Sequence, residues 1–313
     1  MRSLMKHPKE KPIPRRRFLT EATTSMMLTA PLFAGCTKDQ DKQPAQPMYH
    51  TDPVDPRTFW RPGDFFVQEN VDTASLEKSI IRSKVDGIWR DFVVVSMPMR
   101  YIRWSLGHRI ARLENLAQSL IDHRELAGPH NACVATYGGS GRDSAVSLNT
   151  AFKGMGFVPR KERIGATIQE IETEKERIES RENGDFMAIM AEKTNVLRKL
   201  YGDVDLFDSK KQISMELFTT PHYMTHTFLN MMANPIASFS FLAYPTFELR
   251  AIPQLLHHRN PALTEYERQM VAYVNLIHSF IHGQEETHIA CVYHIIEVYD
   301  DTPSDDAKGM RLA

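Results

Sequence analysis

Four residues in one stretch could do chemistry together. His278, His282, Glu285 and His288 fall within LTEYERQMVAYVNLIHSFIHGQEETHIACVYHIIEVY, residues 263–299. Eight of the chain's thirteen histidines lie between 222 and 294. Two imidazoles four residues apart on a helix, joined by a carboxylate, form the two-histidine, one-carboxylate set that suits non-haem iron or zinc. A single Glu-x-x-His, here Glu285 and His288, falls short of a di-iron bundle, which takes two such motifs. Without a metal, His282, Glu285 and His288 would serve as general acid and base, with proton affinities tuned by burial and neighbours. The third option is that these histidines simply pack, in a non-catalytic scaffold or binding protein.

Positioning them requires a helix. Leu263, Thr264 and Glu267 make a capping box, so a helix starts near 264. At about 100° per residue, Glu267, Val271, Val274, His278, His282, Glu285, Ile289 and Tyr293 stay on one stripe, if Gly283 does not break the helix. His288 and His294 point elsewhere.

The same stretch resembles the carboxymuconolactone decarboxylase and alkylhydroperoxidase D-like family, whose core reads Glu, about twelve residues, then Cys-x-x-Cys-x-x-x-His. Gln269 stands where the family has its Glu, and Ile281 and Gln284 take the two Cys positions. His288 alone matches. Residues 228–258, FLNMMANPIASFSFLAYPTFELRAIPQLLHH, are similar to the helices before that core, with a break at Asn234-Pro235. The resemblance implies a helical C-terminal domain, a homo-oligomer, and acid–base work by His282, Glu285 and His288 on a small carboxylate or carbonyl substrate. It implies no thiol peroxidase chemistry, because a peroxidatic thiolate needs a resolving partner.

At the other end, Arg15, Arg16, Phe18 and Leu19 look like a twin-arginine export motif, followed by the uncharged stretch 22–34. Leu32-Phe33-Ala34-Gly35-Cys36 resembles a lipobox. Cleavage before Cys36 and diacylation would anchor the protein to a membrane facing the periplasm, without spanning it. Export by that route generally follows folding, often around a cofactor. Removing residues 1–35 takes seven Lys/Arg and two Asp/Glu from totals of 38 and 39, leaving a formal balance of −6. An acidic mature chain argues against nucleic acid as a partner.

The chain of 313 residues, 42% hydrophobic and 25% charged, has ordinary globular composition. Its expected organisation is an export signal over 1–35, a Pro-rich tether over 36–64, a mostly helical region over 65–182 and a helical domain over 183–313. Helices are expected over 76–89, 104–126, 163–182, 185–201, 246–258 and from 264, with His222 and His226 one turn apart after Pro221. The run 91–97 reads as a short strand or a buried helix segment, and ACVATY, 132–137, reads as strand-like. The architecture expected is all-α. Ser140-Gly141-Arg142-Asp143-Ser144 resembles the loop of ATP pyrophosphatases but lacks a glycine, and reads as a plain turn that caps a helix. Cys133 and Cys291 either bridge or stay as buried thiols.

Overall fold

The first local decision is a tight turn. Asp86 and Gly87 both adopt positive φ, 52° and 78°, the geometry of a two-residue turn whose twist matches that of its strands. It closes β4 (Ile80–Val85) and β5 (Ile88–Val93) into a hairpin with Val85 opposite Ile88. β3 (Val71–Asp72) pairs with β4 to make a three-stranded sheet, and β1 (Trp60–Arg61) pairs with β2 (Phe65–Phe66) just before it. This is a computed structural model; it describes residues 55, 58–117, 127–138, 146–180, 186–283, 286–303 and 309–313. Pro47–Ala313 cluster as one compact unit.

The all-α expectation is overturned. The structure is mixed, 36% helix and 33% strand, built on a curled antiparallel sheet. Seven strands form that sheet: β6 (Asn131–Thr136), β7 (Asn149–Gly154), β8 (Lys211–Glu216), β9 (Ala237–Ser240), β10 (Phe247–Leu256), β11 (Ile289–Asp300) and β12 (Met310–Arg311). Their order is β12-β11-β10-β9-β6-β7, with β8 also paired to β11. Just past β7, Gly156 exchanges backbone hydrogen bonds with Ile213 of β8 at 2.7 and 2.8 Å. The curl of this half-barrel is thereby tied across its ends.

Among the described residues five helices flank the sheet: α1 (Met99–Ala117), α2 (Ile164–Glu179), α3 (Phe186–Gly202), α4 (His226–Ala233) and α5 (Glu265–His282). α1 packs on α3 and α2 packs on α5. The expected helices over 163–182 and 185–201 are present as α2 and α3, and Ile164, Ile171 and Ile178 form the buried stripe of α2. No described helix is long and apolar enough to cross a membrane.

Three expected helices are strands. β10 replaces the helix over 246–258, and β11 replaces the continuation of the helix from 264. Over 251–256 of β10 and 289–296 of β11 both faces are buried, so most of each strand lacks the period-2 alternation that marks a half-exposed strand; only toward the other end do Glu248, Arg250 and Glu297 mark a partly solvated face. Pro253 sits inside β10 opposite Tyr293, and its carbonyl accepts from Gln68 Nε2 at 3.3 Å. The third, over 76–89, is largely β4. Ile81, Ser83 and Val85 alternate inward there, and the buried serine hides the pattern. His222 also falls outside any helix: Thr220 bridges Tyr223, and α4 begins only after Thr225, whose Oγ1 accepts from the Phe228 N–H at 3.1 Å.

Inside the curl the register puts Val134 beside Phe239 and Phe239 beside Leu249, with the Phe239 and Tyr293 rings 5.1 Å apart. On the opposite face of β10 and β11, Ile252 and Ile296 pack on Ile81, Val85 and Val94 of the hairpin region.

Candidate functional site

The capping box is present as expected. Thr264 Oγ1 accepts from the Glu267 N–H at 3.3 Å, and the Glu267 carboxylate accepts from the Thr264 N–H at 2.7 Å. α5 then runs to His282 and stops at Gly283, which takes φ 70° and donates its N–H to Ser279 O at 2.7 Å. A left-handed glycine just past a helix is a common stop signal. The continuous stripe from 264 to 293 is therefore cut at 283, and Ile289 and Tyr293 belong to β11.

That break brings the histidines together. Asn275, on α5, acts as a clamp on the returning chain. Its Oδ1 accepts from the His288 N–H at 2.7 Å, while its Nδ2 donates to His288 O at 3.1 Å and to Val271 O at 2.8 Å. A side-chain amide that satisfies both backbone groups of one residue fixes that residue's position. His288 is thus held against the last two turns of α5. The His278 ring lies 4.8 Å from that of His282 and 5.9 Å from that of His288, centroid to centroid.

Desolvation holds the His282 imidazole below its ordinary pKa, and the neighbouring His278 adds to the shift. His288 is lowered for the same two reasons, with Glu286 opposing them. Both rings are therefore neutral near neutral pH, a form that can accept a proton. His294 does not join them. It is buried in β11, where its Nε2 meets Gln254 Oε1 at 3.0 Å and burial pushes its pKa down to about 3.

Of the expected site residues, the structure brings His278, His282 and His288 together. Glu285 lies outside the described residues, as do Arg15, Arg16, Cys36 and the loop from Ser140 to Ser144. Among the described residues no group of three or more His, Cys, Asp or Glu is placed to hold a metal ion. The iron or zinc reading thus depends on Glu285 as third donor. Cys133 and Cys291 are both free thiols, so the bridge is absent: Cys133 is half-buried on β6 and Cys291 faces Met231 inside the curl, Sγ to Sδ 3.7 Å.

Two polar clusters escaped the sequence because their members are far apart along it. In one, Lys153 donates to Glu216 Oε1 at 2.5 Å, and Thr225 donates to Glu216 Oε2 at 3.0 Å. In the other, the Tyr137 hydroxyl donates to both Asp86 carboxylate oxygens at 3.0 and 3.1 Å beside Asn234. The Asn234-Pro235 pair was the single signal for the latter, and it marked only a helix end. No family model, curated protein or solved structure matches the chain.

Proposed function

We propose that the protein works in the bacterial cell envelope, tethered to a membrane through lipidated Cys36, and that His282 and His288 move a proton on a small carboxylate or carbonyl substrate. The observation that carries this reading is the apposition of three imidazoles at the end of α5, with His282 and His288 both held toward the neutral form. In the proposed role one neutral imidazole takes the proton, and His278 at 4.8 Å raises the readiness of His282 to give it up again. Glu285 is assigned the partner acid. The helical family fold is not part of the proposal, because β11 stands where that fold would open a new helix.

The test is a turnover screen of the purified full chain with short 2-oxo and 3-oxo acids, following carbon dioxide release and solvent deuterium uptake. His288→Ala and Glu285→Gln should each lower any turnover by roughly a hundredfold, as removal of a general acid or base does. Turnover that survives both changes would contradict the assignment.

The alternative use of the same corner is a transition metal held by His278, His282 and Glu285, favoured by the close pair on α5. Elemental analysis of protein purified without a histidine tag separates the two: less than about a tenth of an equivalent of iron or zinc removes the metal reading.

A further inference from the structure

Around the N-terminal end of α4 the protein shows apolar side chains to solvent that nothing described covers. Leu148, on the approach to β7, is 64% exposed; Phe218 and Tyr223, on the segment between β8 and α4, are 64% and 63% exposed, and Leu217 beside them is also exposed. Three anchors gather them in one place. Asn149 Nδ2 donates to Thr227 Oγ1 at 2.9 Å, Asn230 Nδ2 donates to Ser147 O at 3.1 Å, and Glu216 accepts from Thr225. Both apolar segments are therefore tied to the first two turns of α4. Isolated exposed apolar residues need no explanation, but a contiguous group at one end of a fold marks an interaction site.

The exit point of the N-terminal chain identifies the occupant. Phe59 and Trp60 pack on Phe228, in the first turn of the same helix, with ring centroids at 6.0 and 6.1 Å. Only 21 residues lie between Cys36 and Thr58, a tether that reaches at most roughly 75 Å and typically spans a few tens of Å. An acyl chain on Cys36 would therefore hold the α4 end of the fold close to the bilayer at high effective concentration.

We infer that Leu148, Leu217, Phe218 and Tyr223 form a membrane-docking rim that inserts into the lipid interface on which the protein is anchored. The chemistry fits: a phenylalanine and leucines supply apolar depth, and a tyrosine keeps its hydroxyl at the headgroup level. Attachment through burial of apolar surface is insensitive to salt, unlike attachment through basic residues. The inference rests on the lipid-anchor reading for its biological setting, while the rim itself binds lipid without the acyl chain.

Flotation of the full chain carrying Cys36→Ser with vesicles of phosphatidylethanolamine and phosphatidylglycerol, at low and high salt, tests it. Binding should persist at both salt concentrations, and Phe218→Ser with Tyr223→Ser should weaken it by roughly tenfold or more, as loss of two buried aromatic side chains implies. Val93→Ser, exposed at the end of β5 remote from the Asp86–Gly87 turn, should leave it unchanged, and circular dichroism should show every variant folded. Absence of vesicle binding, or equal binding by the rim variant, overturns the inference. A rim variant that changes only the oligomeric state by sedimentation would assign the surface to a second copy of the chain instead. Intact mass of the membrane-purified wild type reports separately on acylation: an unacylated protein whose rim still binds vesicles would end the anchor reading and leave the rim standing.

Discussion

Asp86 and Asn234, 148 residues apart, hold each other reciprocally: the Asp86 N–H donates to Asn234 Oδ1 at 2.8 Å and Asn234 Nδ2 donates to Asp86 Oδ1 at 3.3 Å. The pair joins the turn of the β4–β5 hairpin to the end of α4. Gly138 makes room for it, with φ 108° and an ideal Cβ that would lie 2.5 Å from Asn234 Cβ. Gly138→Ala meets both a forbidden backbone region and a clash, and should cost about 2–4 kcal/mol of stability. Tyr137→Phe, which removes only the hydroxyl's bonds to Asp86, should cost about 0.5–1.5 kcal/mol. Urea unfolding of both variants checks the order; equal effects would show that the close packing at Gly138 is unimportant.

The ion pair between Lys153 and Glu216 is nearly buried, with side chains 12% and 1% exposed. Removing one partner strands a charge, so Lys153→Met should destabilise by about 3–5 kcal/mol. Lys153→Met combined with Glu216→Gln should recover part of that loss, because no unpaired charge is left inside. A double variant as unstable as the sum of its singles would contradict this.

Most of the helical layer was legible in the sequence, and most of the sheet was not. Thr264 and Glu267 announced α5 because capping is local, and the sparse isoleucine stripe of α2 faces the core with a solvated side opposite. Over 251–256 and 289–296 the two strands have no solvated face to break the apolar run, so periodicity cannot separate those stretches from buried helix. The histidine cluster was half legible. Spacing on α5 linked His278 to His282, whereas His288 joins them through a chain reversal clamped by Asn275, which no helical projection contains.

His294 makes the protein acid-sensitive. Its folded pKa of about 3 lies below the ordinary 6.5, so above pH 6.5 neither state carries the proton. Below that, the unfolded chain binds a proton that the folded one refuses, and stability falls by up to about 1.4 kcal/mol per pH unit down to about pH 3. His257, pushed down to about 4 by burial and by its neighbours His258 and Arg259, adds a smaller loss over the same range. His294→Leu should unfold with a shallower dependence on pH between 6.5 and 4 than the wild type; identical slopes would exclude His294 as the source.

Thiol reactivity should divide the two cysteines of the sheet. Burial pushes the Cys291 thiol up to about 12, and the thiolate is the reactive form. An aromatic disulfide reagent should label Cys133 in the native protein and reach Cys291 only on unfolding. Cys291→Ser should leave any turnover unchanged, whereas rapid native labelling of Cys291 would show that the inside of the curl is open.

Nitrogen-15 NMR titration of the imidazoles tests the central claim most directly, with the full chain compared with His278→Gln and with acetoacetate added as a probe. The account predicts that His282 and His288 titrate below 6.5, that both move upward when His278 is replaced, and that acetoacetate shifts these two rings while leaving His294 unmoved. Titration of both at or above 6.5, with no response to the substitution or to the acid, would contradict it.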